Sequence, residues 1–160
     1  MKRTSKWQEG SGQACKAPIF KPEKPIILEV RGMTGYFGSI EKQTLGNNYF
    51  RQVMFTGKHA QLVVMCLQKR EEIGNEVHPS VDQFFRIEQG EATFILNGKE
   101  KHVVKEGDAA IVPAGTYHNV INTGSGQLRL YTIYSPPNHP DGTVHKTKAD
   151  AEKAERAAGH

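Results

Sequence analysis

Residues 107–122 read GDAAIVPAGTYHNVIN, and residues 74–90 read GNEVHPSVDQFFRIEQG. In the later stretch, Gly107 and the Pro113-Ala114-Gly115 turn bracket a short apolar run, and strand-forming residues resume from Tyr117 to Ile121. In the earlier stretch, Glu76 and His78 stand two apart. Side chains on a strand alternate between faces, so both point the same way. Two N/O donors on one face, with the distant His118 on another strand, make a donor set for a divalent transition metal.

Outward from these stretches the chain reads as short strands separated by turn signals. Residues 50–55 (FRQVMF) and 60–67 (AQLVVMCL) are rich in strand formers, as are residues 26–30 (IILEV). Residues 92–96 and 99–104 flank Asn97-Gly98, a pair suited to a type I′ hairpin turn. Residues 109–112, 117–121 and 128–134 complete the series. Strands at this spacing predict an all-β barrel or sandwich. After Pro136-Pro137 the pattern changes to a polar loop, then a short alanine- and charge-rich helix from Lys148, capped by Thr147. That helix has almost no apolar face and is expected to be solvated and frayed.

The two quoted stretches resemble the paired motifs of the cupin superfamily. The second matches at each defined position, Gly107, Pro113, Gly115, His118 and Asn122. The first matches in part: Glu76 stands where cupins usually carry the first His, and Gln83 where they carry Glu, while His78 and Gly90 agree with the pattern. The resemblance covers roughly residues 26–136 and implies a double-stranded β-helix (jelly-roll) barrel. Together with the Gly-, Pro- and Lys-rich composition of the head and the residue pattern of the tail, the chain divides into a flexible leader over 1–24, a barrel over 25–137 and a loop with a helix over 138–160. It also implies a homodimer of barrels paired through their sheets. The apolar residues on both faces of 62–67, and Phe84 on an otherwise polar face, point the same way.

Strand phase places Gln83, Phe85 and Ile87 on one face, and Asp82, Phe84, Arg86 and Glu88 on the other. The second face is mostly charged, so Gln83 points inward, where the resemblance puts the carboxylate ligand. The expected metal set is therefore Glu76, His78, Gln83 and His118, with Asp82 as a fallback if the strand bulges. Gln83 is either a weak ligand or a brace for His78. One carboxylate remains in the set, and the ion expected is Fe, Mn or Zn, with Ni or Cu also compatible with these ligand types. Tyr117, Tyr131 and Phe85 are read as core or cavity wall. His139 and His145 are read as surface residues of a polar tail, and His59 and His102 carry no partner signal.

The net charge of +4 does not mark a nucleic-acid binder. Residues 1–24 carry six Lys/Arg against two Asp/Glu, whereas residues 25–145 carry eleven against twelve. The two cysteines, Cys15 and Cys66, make no disulfide framework, and no apolar run suits a signal or a membrane span. A cytoplasmic protein with no nucleic-acid or membrane partner is expected.

The expected function is that of a small cupin metalloprotein holding a small polar metabolite at a mononuclear metal. As an enzyme it would be of isomerase or dioxygenase type, with the metal polarising a carbonyl or activating dioxygen. The resemblance extends to the barrel of type II phosphomannose isomerases, although no Arg/Lys cluster in the motifs marks a phosphate site. The other classes are a non-catalytic binding module and a purely structural interaction protein. The discriminating feature is a free acid or base beside the metal, for which Glu76, Tyr117 and Tyr131 are the candidates.

Overall fold

The computed structural model describes residues 34–159. The expected leader, the strand at 26–30 and Cys15 lie outside the described residues. Within them a short helix, α1 (Ile40–Gly46), is followed by eight strands: β1 (Arg51–Thr56), β2 (Gln61–Leu67), β3 (Asp82–Gln89), β4 (Glu91–Leu96), β5 (Glu100–Lys105), β6 (Ala109–Val112), β7 (His118–Asn122) and β8 (Leu128–Ser135). A two-residue strand, β9 (Val144–His145), and a helix, α2 (Lys148–Ala157), complete the chain. None of the described helices is long and apolar enough to cross a membrane.

The strands form a six-stranded sheet, β6-β3-β8-β2-β1-β9, facing a three-stranded sheet, β5-β4-β7. All named pairings are antiparallel. Side-chain alternation explains the packing: Gln83, Phe85 and Ile87 of β3 and Leu128, Leu130, Thr132 and Tyr134 of β8 are buried, while the residues between them are not. Across the gap lie Ala92, Phe94, Val104 and Val120 of the small sheet. Phe85 and Phe94 join the layers edge to face, with ring centroids 5.0 Å apart. At the hairpin, Asn97 and Gly98 both take positive φ, 49° and 69°, as their sequence predicts.

Two features locate the motif residues. Gly90 (φ +92°) passes so close to the neighbouring backbone that a Cβ there would lie 2.9 Å from the Gln127 carbonyl oxygen. Asn122 is 1% exposed, and its amide faces the carbonyls of Leu67, Gln68 and Gly126 at 2.9–3.0 Å. Its side-chain oxygen accepts from Gly124 N at 3.1 Å. The motif asparagine thus ties the end of β2 to the turn before β8.

Three expectations change. The outer face of β2 is partly covered from within the chain, because α1 packs on β2, β3 and β8 and leaves Val64 and Cys66 1% exposed. Arg129 secures α1 by donating to the carbonyls of Leu45 and Asn47 and to Asn48 Oδ1. The polar tail is also not simply solvated. Its backbone at Asn138 and His139 hydrogen-bonds the buried Gln61, β9 adds to β1, and α2 sinks Ala151 into the core with 2% exposure. A capping box between Thr147 and Asp150 fixes the start of α2, so this helix end is held, not frayed. Finally, His139 and His145 are half-buried instead of on the surface: each has a ring nitrogen that is buried without a hydrogen-bond partner among the described residues.

Two expected outcomes follow from these contacts. Asn122→Ala leaves three carbonyls and an N–H short of their partner and should lower stability by about 2–3 kcal/mol in urea denaturation; a loss below about 0.5 kcal/mol would contradict this role. His139 packs edge-on against Tyr134, centroids 5.0 Å apart. Burial, reinforced by the charge of Arg51, pushes its pKa down to about 3. A depressed folded pKa means stability that is present above the ordinary imidazole range and lost as pH falls from about 6.5 towards 3, because only the unfolded chain then takes the proton. His139→Asn should therefore lose less Tm than the parent between neutral and acidic pH. Parallel pH profiles would refute it.

Candidate metal centre

The first motif reaches the second through the backbone. Glu76 N donates to His118 O at 2.8 Å and His118 N donates to Glu76 O at 2.9 Å, an antiparallel bridge that sets the two residues directly opposite. Residues directly opposite on paired strands project to the same side of the sheet. Ile73 N to Val120 O and Asn122 N to Glu71 O extend this ladder, so residues 71–76 run along the free edge of β7. His78, two residues on, is held by Gly115 N donating to its carbonyl at 2.9 Å. Gly115 has φ +79°, which explains the glycine in the Pro113-Ala114-Gly115 turn.

These links bring Glu76, His78 and His118 together, one potential ligand atom from each lying within 4.8 Å of the others. The imidazole centroids of His78 and His118 are 5.5 Å apart. Glu76 Oε2 lies 3.5 Å from His78 Nε2. That is too long for a firm hydrogen bond, and His78 Nε2 is a buried nitrogen with no partner among the described residues. A buried polar atom without a partner is uncommon and calls for an explanation. A cation between these three side chains supplies one, so the residues fit a divalent metal.

Electrostatics keep Glu76 and His118 in the protonation states a metal requires. Burial would raise the Glu76 pKa, but the His78 imidazole 3.5 Å away and the guanidinium of Arg51 outweigh it and leave the carboxyl below its usual range. Burial lowers the His118 pKa, against the opposing pull of the Thr116 carbonyl and Glu76. His118 is therefore neutral at pH 7 and carries one N–H. The Thr116 carbonyl, 3.1 Å from Nδ1, can only accept, so the proton belongs on Nδ1 and the lone pair on Nε2.

Gln83 is 1% exposed and points inward, in the phase read from the sequence. Its Oε1 lies 3.1 Å from His118 Nε2, two acceptors turned to one space, and its Nε2 donates to Thr132 Oγ1 at 3.1 Å. It therefore touches His118, not His78, the residue it was expected to brace. Asp82, the fallback ligand, is exposed and accepts from Ala114 N at 2.9 Å, so it caps the Pro113 turn away from the cluster. The tyrosines expected as cavity wall and proton donors are also displaced. Tyr117 is 52% exposed, and Tyr131, between inward Leu130 and Thr132, lies on the outer face beside Phe84. Strand alternation in β8 turns Tyr131 away, and Tyr117 stands in the turn segment just before β7.

Other residues take their place. Tyr134 is 1% exposed, edge-on to His78 at 5.6 Å between centroids, with its pKa raised by burial and by the Glu76 charge. Arg51 is 1% exposed and reaches Glu76 Oε1 through Nη2 at 3.4 Å and Glu155 Oε1 through Nη1 at 3.2 Å. The signal for both was in the strand period: Arg51 shares its face with buried Val53, and Tyr134 shares its face with Leu128 and Leu130. An inward arginine must find a carboxylate.

Comparison with known proteins agrees with this architecture. The family described as Cupin domain (Cupin_2) matches residues 63–134. Protein YrkC of Bacillus subtilis (strain 168) is 48% identical over 138 residues, covering 83% of this chain and 74% of its own. Protein L612 of Acanthamoeba polyphaga mimivirus is 46% identical over 113 residues, covering 68% and 70% respectively. The crystal structure of BH2720 from Bacillus halodurans superposes with a TM-score of 0.74 at 43% identity, over 77% of this chain and 97% of that one. With two facing antiparallel sheets, the motif glycines Gly90, Gly107 and Gly115 all at positive φ and this match in sequence, the chain belongs to the cupin family.

Proposed function

We propose that this cupin holds one divalent transition metal through Glu76, His78 and His118, and that it is an enzyme of the dioxygen-using type acting on a small polar metabolite. The observation that carries the reading is the convergence of two imidazoles and one carboxylate within 4.8 Å. That donor set, with positions left open, suits Fe(II) and its oxygen chemistry, and also admits Mn(II) or Zn(II). Bound there, the metal would supply Lewis acidity and a place for dioxygen or a ligand oxygen.

The chain's own residues have defined parts in this reading. The Thr116 carbonyl keeps the His118 proton on Nδ1 and leaves Nε2 for the ion. Gln83, neutral where the family pattern has Glu, donates to Thr132 and turns its Oε1 to the same space as His118 Nε2, a weak donor oxygen that leaves its coordination position to water or ligand. Arg51 orients Glu76. Isomerisation requires a base that moves a proton between carbons. Among the described residues beside the cluster, Glu76 is committed to the metal and Tyr134 is buried with a raised pKa. Oxygen chemistry makes no such demand, so the dioxygenase reading is preferred to the isomerase one. The same scarcity of acid–base groups favours, as the second reading, a non-catalytic binding module. A reducing cytoplasm suits either, since Cys66 is free and buried.

Protein purified without chelator should carry close to one metal per chain. His78→Ala and His118→Ala should lose it, while the exposed His59→Ala and His102→Ala should keep it. Metal content in His78→Ala equal to that of the parent would sink the assignment. Iron-loaded protein should also bind nitric oxide with a ferrous-nitrosyl EPR signal. A loaded site blind to nitric oxide would leave only the binding module.

Assembly as a homodimer belongs to the same reading. On the outer face of the six-stranded sheet, Leu62, Ile133, Phe84 and Ile111 stand in register across β2, β8, β3 and β6. Ile111 is 69% exposed. The row is flanked by Arg86 and Glu88, whose opposite charges complement each other when a second copy approaches about a two-fold axis. Light scattering at micromolar concentration should report a dimer, and Ile111→Glu should shift it towards monomer. A monomeric parent would refute this.

A further inference from the structure

Arg51 joins the metal cluster to the far end of the chain. A buried guanidinium needs counter-charge, and breaking a buried ion pair by removing one partner typically costs about 3–5 kcal/mol. Arg51 is served from two directions, with Nη2 on Glu76 Oε1 at 3.4 Å and Nη1 on Glu155 Oε1 at 3.2 Å. These carboxylates lie 25 and 104 residues away in sequence. Register supports the proximity, since Arg51 pairs with His145 across β1 and β9, immediately before α2.

Glu76 divides its two oxygens. Oε1 faces Arg51, and Oε2 faces His78 Nε2 at 3.5 Å. Arginine alone with one carboxylate prefers the two-pronged arrangement, with both oxygens on its fork. Were Glu76 the only counter-ion, that preference would draw Oε2 off His78. Glu155 occupies the other prong and so keeps Oε2 turned to the imidazoles. α2 has few other attachments, since Ala151 is its one buried residue.

We propose that Glu155 is a positioning residue for the metal centre: acting through Arg51 it orients Glu76, and metal binding in turn tightens α2 on the barrel. This rests on the metal reading above. A divalent ion on Glu76 draws charge away from Arg51 and leaves Glu155 as its main counter-ion. Coupling between binding and docking is reciprocal, so what metal does for α2, α2 does for metal.

The test compares the full-length parent with Glu155→Gln, Glu155→Asp and the control Glu152→Gln, whose carboxylate meets Lys148 alone among the described residues, at 3.9 Å. Zinc affinity is measured by competition with a chromophoric chelator, and amide exchange over residues 148–157 is followed with and without zinc. Glu155→Gln should bind zinc roughly threefold to tenfold more weakly, less than the full effect of a group touching a ligand directly, because Glu155 is half exposed. It should also lose the zinc-induced protection of 148–157, while Glu155→Asp recovers part of both and Glu152→Gln behaves as the parent. A metal-free Tm for each variant separates this from simple destabilisation. A parent that binds zinc, with Glu155→Gln matching it in affinity and protection, would overturn the proposal alone. A parent that binds no zinc would overturn the metal reading and this inference with it.

Discussion

The reciprocal backbone pair between Glu76 and His118, at 2.8 and 2.9 Å, is the constraint on which the site depends. It carries the segment after β2 along the free edge of β7, so that two stretches about forty residues apart in sequence share one face. Backbone pairing of this kind is insensitive to side-chain chemistry, so the frame is rigid whatever the side chains do. His78 then needs just the one anchor that Gly115 N supplies. The motif turn at Pro113-Ala114-Gly115 is thus part of the same device, fixing His78 from one side and starting β7 on the other.

Around that frame the buried charges are compensated in sequence. Arg51 is buried, Glu76 answers it, and Glu155 arrives from a helix that covers little apolar surface of its own. The neutral hydrogen bond from Gln83 to Thr132 completes the inner wall, so the centre gains no further uncompensated charge. A neutral Gln at this position is consistent with the carboxylate standing at Glu76 instead, since one carboxylate with two imidazoles keeps the formal charge of the donor set. The departure from the usual pattern is therefore a relocation of charge, and Arg51 is the residue that receives it.

The cupin barrel hosts many chemistries, so membership in the family sets the frame and leaves the reaction to the site. Similarity here extends over most of the chain in YrkC and in the BH2720 structure. The donors and their protonation states, not the barrel, support the functional reading. A centre whose neighbours are mostly aromatic, amide or already paired suits chemistry that a metal can perform without a free base beside it.

Strand alternation and turn residues made much of this legible from the sequence. The alternation in β3 put Gln83 inward, Asn97-Gly98 announced its hairpin, and the glycines at 90, 107 and 115 marked backbone that must take positive φ. Applied to β1 and β8, the same period would have drawn Arg51 and Tyr134 inside and turned Tyr131 out. Tertiary structure alone decided that the polar tail returns: a helix with one buried alanine has no periodic signature, and Glu155 meets Arg51 across a separation no local pattern encodes. It alone decided too that α1 covers Val64 and Cys66, because seven residues held by Arg129 carry little helical signal of their own. Local rules write the strands and their faces into the sequence, whereas pairings between distant polar groups exist only once the chain has closed on itself.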